Sequence, residues 1–225
     1  MREKDLCAKL SRLDSFVEKL EQKIRALQTS SVQNKINQLM DYFLYLREKG
    51  TPQEIMSELA FCILAANFSA SKSLEIQQEI HTNILKISKE ELIEILRRKG
   101  HRYPETRATY IIYAREKISF IFSLIRSQQK THAIRDWLVI NINGVGMKVA
   151  SHFLRNTGRF DVAILDFHIL DLLERNGVIN RPKTLTRKKY LEIENILFYI
   201  SQKIGIPPGI LDLYLWYLET GNIVK

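Results

Sequence analysis

Cysteine is scarce in this chain, and the scarcity excludes a good deal. Among 225 residues only Cys7 and Cys62 are cysteines. They sit far apart in helical patterns and form neither a C-x-x-C pair nor a set of four, so no zinc site and no iron–sulfur cluster is expected. Cys62 falls inside an apolar run and reads as an ordinary core thiol. Long apolar runs are missing as well. The longest, Leu59 to Ala66, is far short of the roughly 20 residues that span a bilayer. Met1-Arg2-Glu3-Lys4-Asp5 puts charges where a secretory leader needs an apolar stretch, so the chain reads as cytoplasmic, with no membrane partner. No stretch alternates convincingly with period two, which argues against strands. No Pro/Ser-rich linker, low-complexity tract or internal repeat divides the chain, so any domains share a close interface.

What is present is apolar content, positive charge and helical punctuation. At 45% hydrophobic residues the chain can bury a sizeable core. The formal net charge of +9 fits a polyanionic partner without naming one. Thr51-Pro52-Gln53-Glu54 is a capping box with proline at the first helical position, and Ser88-Lys89-Glu90-Glu91 is a second box. Gly50, Gly100, Gly158, Gly177, Gly205 and Gly221 fall where periodic segments end. Between these marks the sequence predicts helices near 3–28, 32–49, 52–67, 71–85, 89–98, 105–127, 130–140, 147–156, 167–176, 186–204 and 208–220. Leu6, Leu10, Leu13, Val17, Leu20, Ile24 and Leu27 form a stripe too short for a lasting coiled coil, so the first helix is expected to pack on the rest of the chain.

Two short segments carry chemistry. In Ile142-Asn143-Gly144-Val145-Gly146-Met147-Lys148-Val149-Ala150, Gly144 and Gly146 permit a tight turn between helices. The following helix then begins with open amides suited to a phosphate. Lys148 lies in that first turn, where the positive end of the helix dipole opposes a second positive charge, as a nucleophilic amine requires. Ala163-Ile164-Leu165-Asp166-Phe167-His168 places a carboxylate at the start of the next helical run. Each residue has a plainer reading: Lys148 as a phosphate contact, Asp166 as an N-cap, His168 as a packed ring.

The hairpin with its lysine, followed by an aspartate eighteen positions later (166 − 148 = 18), resembles the bifunctional helix–hairpin–helix DNA glycosylase superfamily that includes endonuclease III. Leu64-Ala65-Ala66-Asn67-Phe68-Ser69-Ala70, Gly100-His101-Arg102, Ala150-Ser151-His152-Phe153-Leu154-Arg155-Asn156, Asp212-Leu213-Tyr214-Leu215-Trp216-Tyr217 and the terminal lysine resemble the archaeal-type 8-oxoguanine DNA glycosylase/AP lyases. The resemblance implies an all-α fold of two helical domains with the active-site cleft between them. One domain would be a six-helix barrel, 51–156, ending in the hairpin motif. The other would combine 1–50 with 157–225. It further implies a monomer acting on DNA that contains 8-oxoguanine or abasic sites. No cofactor would be required, although hairpin backbone carbonyls can hold a monovalent cation.

In that reading Lys148 attacks the sugar and Asp166 stabilises the positive charge that builds as the base leaves. Asn67 matches the position that fills the gap left by a flipped base, Trp216 and Asp212 line the base pocket, Lys225 reaches it with its terminal carboxylate, and His168 supports the site. Arg97-Arg98-Lys99 with Arg102, and Arg187-Lys188-Lys189, are candidates for phosphate contacts. Lys148 argues against methylated-base and adenine glycosylases, which normally lack it. Two alternatives stay open: an oxidised-pyrimidine glycosylase without its cysteine cluster, and a non-catalytic hairpin protein that only binds DNA.

Overall fold

The computed structural model describes the backbone from Glu3 to Lys225 and side chains from Ser11 onward. Among the described residues there are twelve helices and no strand: α1 (Glu3–Gln28), α2 (Ser31–Glu48), α3 (Pro52–Leu64), α4 (Ala70–Ile80), α5 (Lys89–Arg98), α6 (Pro104–Arg115), α7 (Ile118–Arg126), α8 (Thr131–Asn141), α9 (Met147–Asn156), α10 (Phe167–Arg175), α11 (Arg187–Ile204) and α12 (Pro208–Thr220). The helix starts follow local chemistry. Thr51 and Glu54 exchange both bonds of the capping box, with Pro52 at the first helical position. Ser88 Oγ accepts from the Glu91 amide, the forward half of the second box. Gly205 and Gly221 close α11 and α12 in the left-handed conformation.

The chain packs as two compact units, one built from residues up to Met40 with Phe160–Ile223 and Lys225, the other from Asp41–Arg159 with Val224. In the first, α1 lies on α11, and α12 packs on both α10 and α11. The apolar stripe of α1 is buried at Val17, Leu20 and Ile24, as expected of packing rather than a free coiled coil. The side chains of Leu6, Cys7 and Leu10 lie outside the described residues. In the second unit α3 is buried on all sides from Ile55 to Leu64 and contacts α4, α6, α7 and α9. A predominantly apolar helix belongs in such a centre, with its two buried polar residues, Ser57 and Glu58, carrying hydrogen bonds there. Cys62 is buried there.

Two sequence boundaries move for tertiary reasons. The helix expected over 105–127 breaks at Glu116–Lys117. Lys117 lies over the Tyr113 ring four residues back (4.7 Å) and donates from Nζ to the Asn141 carbonyl (2.8 Å), a contact between elements that no local signal announces. The helix expected to reach 85 ends at Ile80. The turn after it is held by Arg115, which donates to the carbonyls of Ile84 and Ile87.

Such ties recur through the second unit. Arg159 donates to the carbonyls of Leu124, Ile125, Ser127 and Gln129, Arg126 to those of Arg47 and Gly50, and Arg47 to that of Gly158. Part of the positive charge therefore satisfies helix-end carbonyls that would otherwise be orphaned. The clusters singled out as phosphate contacts are also engaged. Arg97 pairs with Glu105, Arg98 with Glu79, Lys99 with Glu75 and Glu79, and Lys189 with Glu192.

Candidate active site

The hairpin sits in the second unit. Val145 N–H bonds to the Ile142 carbonyl (3.1 Å), and Gly144 adopts φ +78°. A Cβ on Gly144 would stand 2.1 Å from the Tyr110 ring, so both conformation and space require glycine there. Gly146 is the N-cap of α9, with no side chain to close the helix start. The first helical bond runs from Ala150 N–H to the Gly146 carbonyl (2.9 Å), which leaves the amides of Met147, Lys148 and Val149 as donors without helical partners. Lys148 is half-buried, and its amine makes no hydrogen bond or ion pair among the described residues. At the other end of α9, Asn156 donates to the buried carboxylate of Glu58 (2.6 Å), which also accepts from Gln77 (3.2 Å). That network anchors the hairpin helix to α3. Burial, with Glu58 and Glu54 nearby, pushes the Tyr42 phenol well above its ordinary range.

Asp166 belongs to the first unit, at the end of the buried extended segment Val162–Leu165. Part of the backbone of this segment is satisfied by α11. Tyr190 donates to the Ala163 carbonyl (2.9 Å) and accepts from Leu165 N–H (3.3 Å), while Glu194 accepts from Ala163 N–H (3.2 Å). Asp166 caps α10: Oδ1 accepts from Ile169 N–H (2.9 Å), and Oδ2 has no hydrogen bond among the described residues. The cap reading is correct, and by pinning one oxygen it presents the other. The His168 ring, in the first turn of α10, meets Trp216 of α12 edge-on at 4.8 Å and Phe167 at 3.9 Å. Trp216 Nε1 is a buried donor with no partner among the described residues. Asp212 lies one turn before it and is buried, and Lys225 is half-buried.

Asn67 is the one described non-glycine residue with positive φ, +62°, and is exposed. Lys148, Gly144, Gly146 and Asn67 thus fall in the second unit, and Asp166, His168, Trp216, Asp212 and Lys225 in the first. Phe167, exposed at 58%, escaped the sequence reading. So did the contacts behind Asn67. Among the described residues no group of His, Cys, Asp and Glu is placed to hold a metal ion.

Residues 36–206 match the family model for 8-oxoguanine DNA glycosylase. The chain belongs to the 8-oxoguanine DNA glycosylase family. It is 44% identical over 210 residues to the 8-oxoguanine DNA glycosylase/AP lyase of Korarchaeum cryptofilum, covering 93% of this chain and 99% of that protein. Among solved structures it resembles the 8-oxoguanine DNA glycosylase of Thermotoga maritima, at 40% identity and a TM-score of 0.86, covering 93% of this chain and all of that one. It equally resembles the Methanocaldococcus jannaschii 8-oxoguanine glycosylase/lyase in complex with a 15mer DNA containing 8-oxoguanine. That match has 44% identity and a TM-score of 0.86, and covers 92% of this chain and 99% of that one.

Proposed function

We propose that this enzyme excises 8-oxoguanine from DNA and cleaves the strand at the resulting abasic site through a Schiff base on Lys148. The observation that carries the reading is the free Lys148 amine beside unpartnered amides at the start of α9, in a chain of this family. The amides and Gly144-Val145-Gly146 take a DNA phosphate, so the hairpin grips the strand that Lys148 attacks. Nζ bonds to the anomeric carbon as the base departs with the glycosidic electron pair and gains a proton. The free oxygen of Asp166 stabilises the positive sugar in that step. Ring opening gives an iminium on Nζ, loss of a neighbouring sugar proton expels the 3′ phosphate, and hydrolysis releases the amine.

Asn67 fills the gap left by the extruded base. Trp216 stacks on that base while His168 buttresses the indole, and Asp212 and Lys225 are the polar contacts to the base. A monovalent cation on the hairpin is compatible with its geometry, because the carbonyls of Asn143, Gly144 and Val145 accept no backbone hydrogen bond among the described residues. Such an ion would neutralise phosphate charge at the turn, and no other cofactor is required. The enzyme acts as a monomer in the cytoplasm. No helix among the described residues is long and apolar enough to cross a membrane.

The test is borohydride trapping on duplexes carrying 8-oxoguanine or an oxidised pyrimidine. A covalent adduct formed preferentially on 8-oxoguanine supports the assignment. Preference for the oxidised pyrimidine would move the substrate, and binding without any adduct would leave a DNA-binding module.

A further inference from the structure

The turn that carries Asn67 is held more firmly than an exposed loop needs to be. It leaves α3 through Leu64, whose carbonyl takes a hydrogen bond from His101 Nε2 (3.2 Å), and continues through Ala66, whose carbonyl takes one from Arg107 Nη2 (2.7 Å). The Phe68 ring lies on the His101 ring with centroids 4.3 Å apart. His101 is only 5% exposed and Arg107 only 8%. All of this fixes an exposed residue in the left-handed conformation. The Asn67 side chain makes no hydrogen bond among the described residues. Glycine would adopt that conformation freely, whereas asparagine adds an amide that both donates and accepts. A sparsely populated backbone state over-determined by its surroundings, with an unengaged polar group at its tip, is a device for presenting that group.

His101 is the centre of the device. Its Nδ1 accepts from Tyr103 N–H (3.2 Å), so the ring proton sits on Nε2, the nitrogen that meets the Leu64 carbonyl. One neutral ring in one tautomer therefore joins the end of α3 to the start of α6, where Tyr103 stands 41% exposed.

We propose that His101 is a positioning residue for base extrusion, locking the Leu64–Phe68 turn so that Asn67 enters the gap without reorganisation. The inference rests on the reading of Asn67 as the gap-filling residue. It makes His101 matter for excision from a paired duplex and far less for cleavage at a site that has already lost its base.

Single-turnover rates for both reactions test it. His101→Phe keeps the stack on Phe68 and removes both hydrogen bonds. It should slow excision from the paired duplex by about ten- to a hundredfold, the scale of a misplaced group near a reacting centre. Abasic-site cleavage should fall less than about threefold, since no base has to be extruded. His101→Gln can still donate to Leu64 and should restore excision to within about threefold, whereas His101→Asn cannot reach that carbonyl and should not. If His101→Phe does not fold, the contrast between Gln and Asn decides. Adding His101→Phe to Asn67→Gly should cost nothing beyond Asn67→Gly alone, because two residues acting through one contact are not additive. Equal loss of both reactions, independent losses in the double variant, or full excision by Asn67→Gly would each overturn the proposal. Failure of the broader assignment is separately visible, as an unmodified protein that releases no 8-oxoguanine.

Discussion

Two helix starts, one in each unit, treat the same problem in opposite ways. At α10 the chain closes its own N-terminus: Asp166 folds back and Oδ1 takes the Ile169 amide. At α9 the N-cap is Gly146, which has no side chain, so the first amides stay open. The closed start holds a carboxylate in one orientation, while the open start leaves its first amides as donors in the same turn as Lys148. The lesson is that a missing cap is informative when the residue that omits it is a glycine in a tight turn. A cap supplied by an acid can also serve as the mount for that acid.

Breaking the open start should have the largest effect. Lys148→Gln should abolish the borohydride-trapped adduct, base release and strand cleavage, with lesion-DNA affinity largely kept, as gel-shift titration would show; strand cleavage at the unmodified rate would remove Lys148 from the chemistry. At the closed start the charge can be separated from the cap. Asparagine caps a helix as well as aspartate, so Asp166→Asn should leave the melting temperature nearly unchanged and slow base excision by about a hundredfold or more. Asp166→Ala should add a loss of about 1 kcal/mol in denaturant unfolding, because the Ile169 amide then has no acceptor.

Converting one start into the other sharpens the comparison. A Cβ at Gly146 meets nothing within 4 Å, so Gly146→Asp can close α9 with its own carboxylate. Stability should be unchanged or a few tenths of a kcal/mol higher, as expected when aspartate replaces a glycine cap. DNA affinity should drop about tenfold, with the slope of log K against log salt shallower by about one phosphate contact. Affinity equal to the unmodified protein's would mean that the hairpin amides do not hold a phosphate.

The smallest effect concerns pH. Burial, and then the charge of Arg107, hold the His101 imidazole below the usual histidine range, against the Leu64 hydrogen bond, which acts in the opposite sense. Above the unfolded value of about 6.5 neither state binds the proton and the neutral ring's contribution is intact. As pH falls below that value the unfolded chain takes up the proton first, and the contribution is lost on the way down through the folded value. Melting temperatures at pH 7.5 and 5.5 should therefore differ more for the unmodified protein than for His101→Gln, and identical differences would assign the acid sensitivity to other groups.

Local signals were readable wherever the chain acts on its near neighbours. The Thr51 box, the Asp166 position and the glycines ending α11 and α12 rest on contacts within a few residues, and they lie where the sequence places them. The break between α6 and α7 was not readable: the lysine at it reaches 24 residues ahead to Asn141, which no local pattern encodes. Nor were the arginine ties: Arg126 serves carbonyls 76 and 79 residues away, and nothing local distinguishes it from a surface arginine awaiting a phosphate. The acids that pair with Arg97, Arg98 and Lys99 were equally hidden, since they lie on α4 and α6. The hairpin was legible because its tight turn is encoded by two glycines flanking a single residue, Val145. The support behind Asn67 was hidden because it comes from His101 and Arg107, more than thirty residues on.

The first unit is stitched from the two flanks of the chain, and this has a consequence for its birth on the ribosome. The second unit is almost wholly continuous and can close once residue 159 has emerged. Helix α1 is made early, yet the groups that cover it belong to α11. Its Asp14 waits 185 residues for the Tyr199 hydroxyl. At about 5–20 residues per second that is a delay of roughly ten to forty seconds, during which the Val17, Leu20 and Ile24 stripe has no cover from α11. In the nascent chain the middle can close before its flanks meet, and α1 waits longest for its cover.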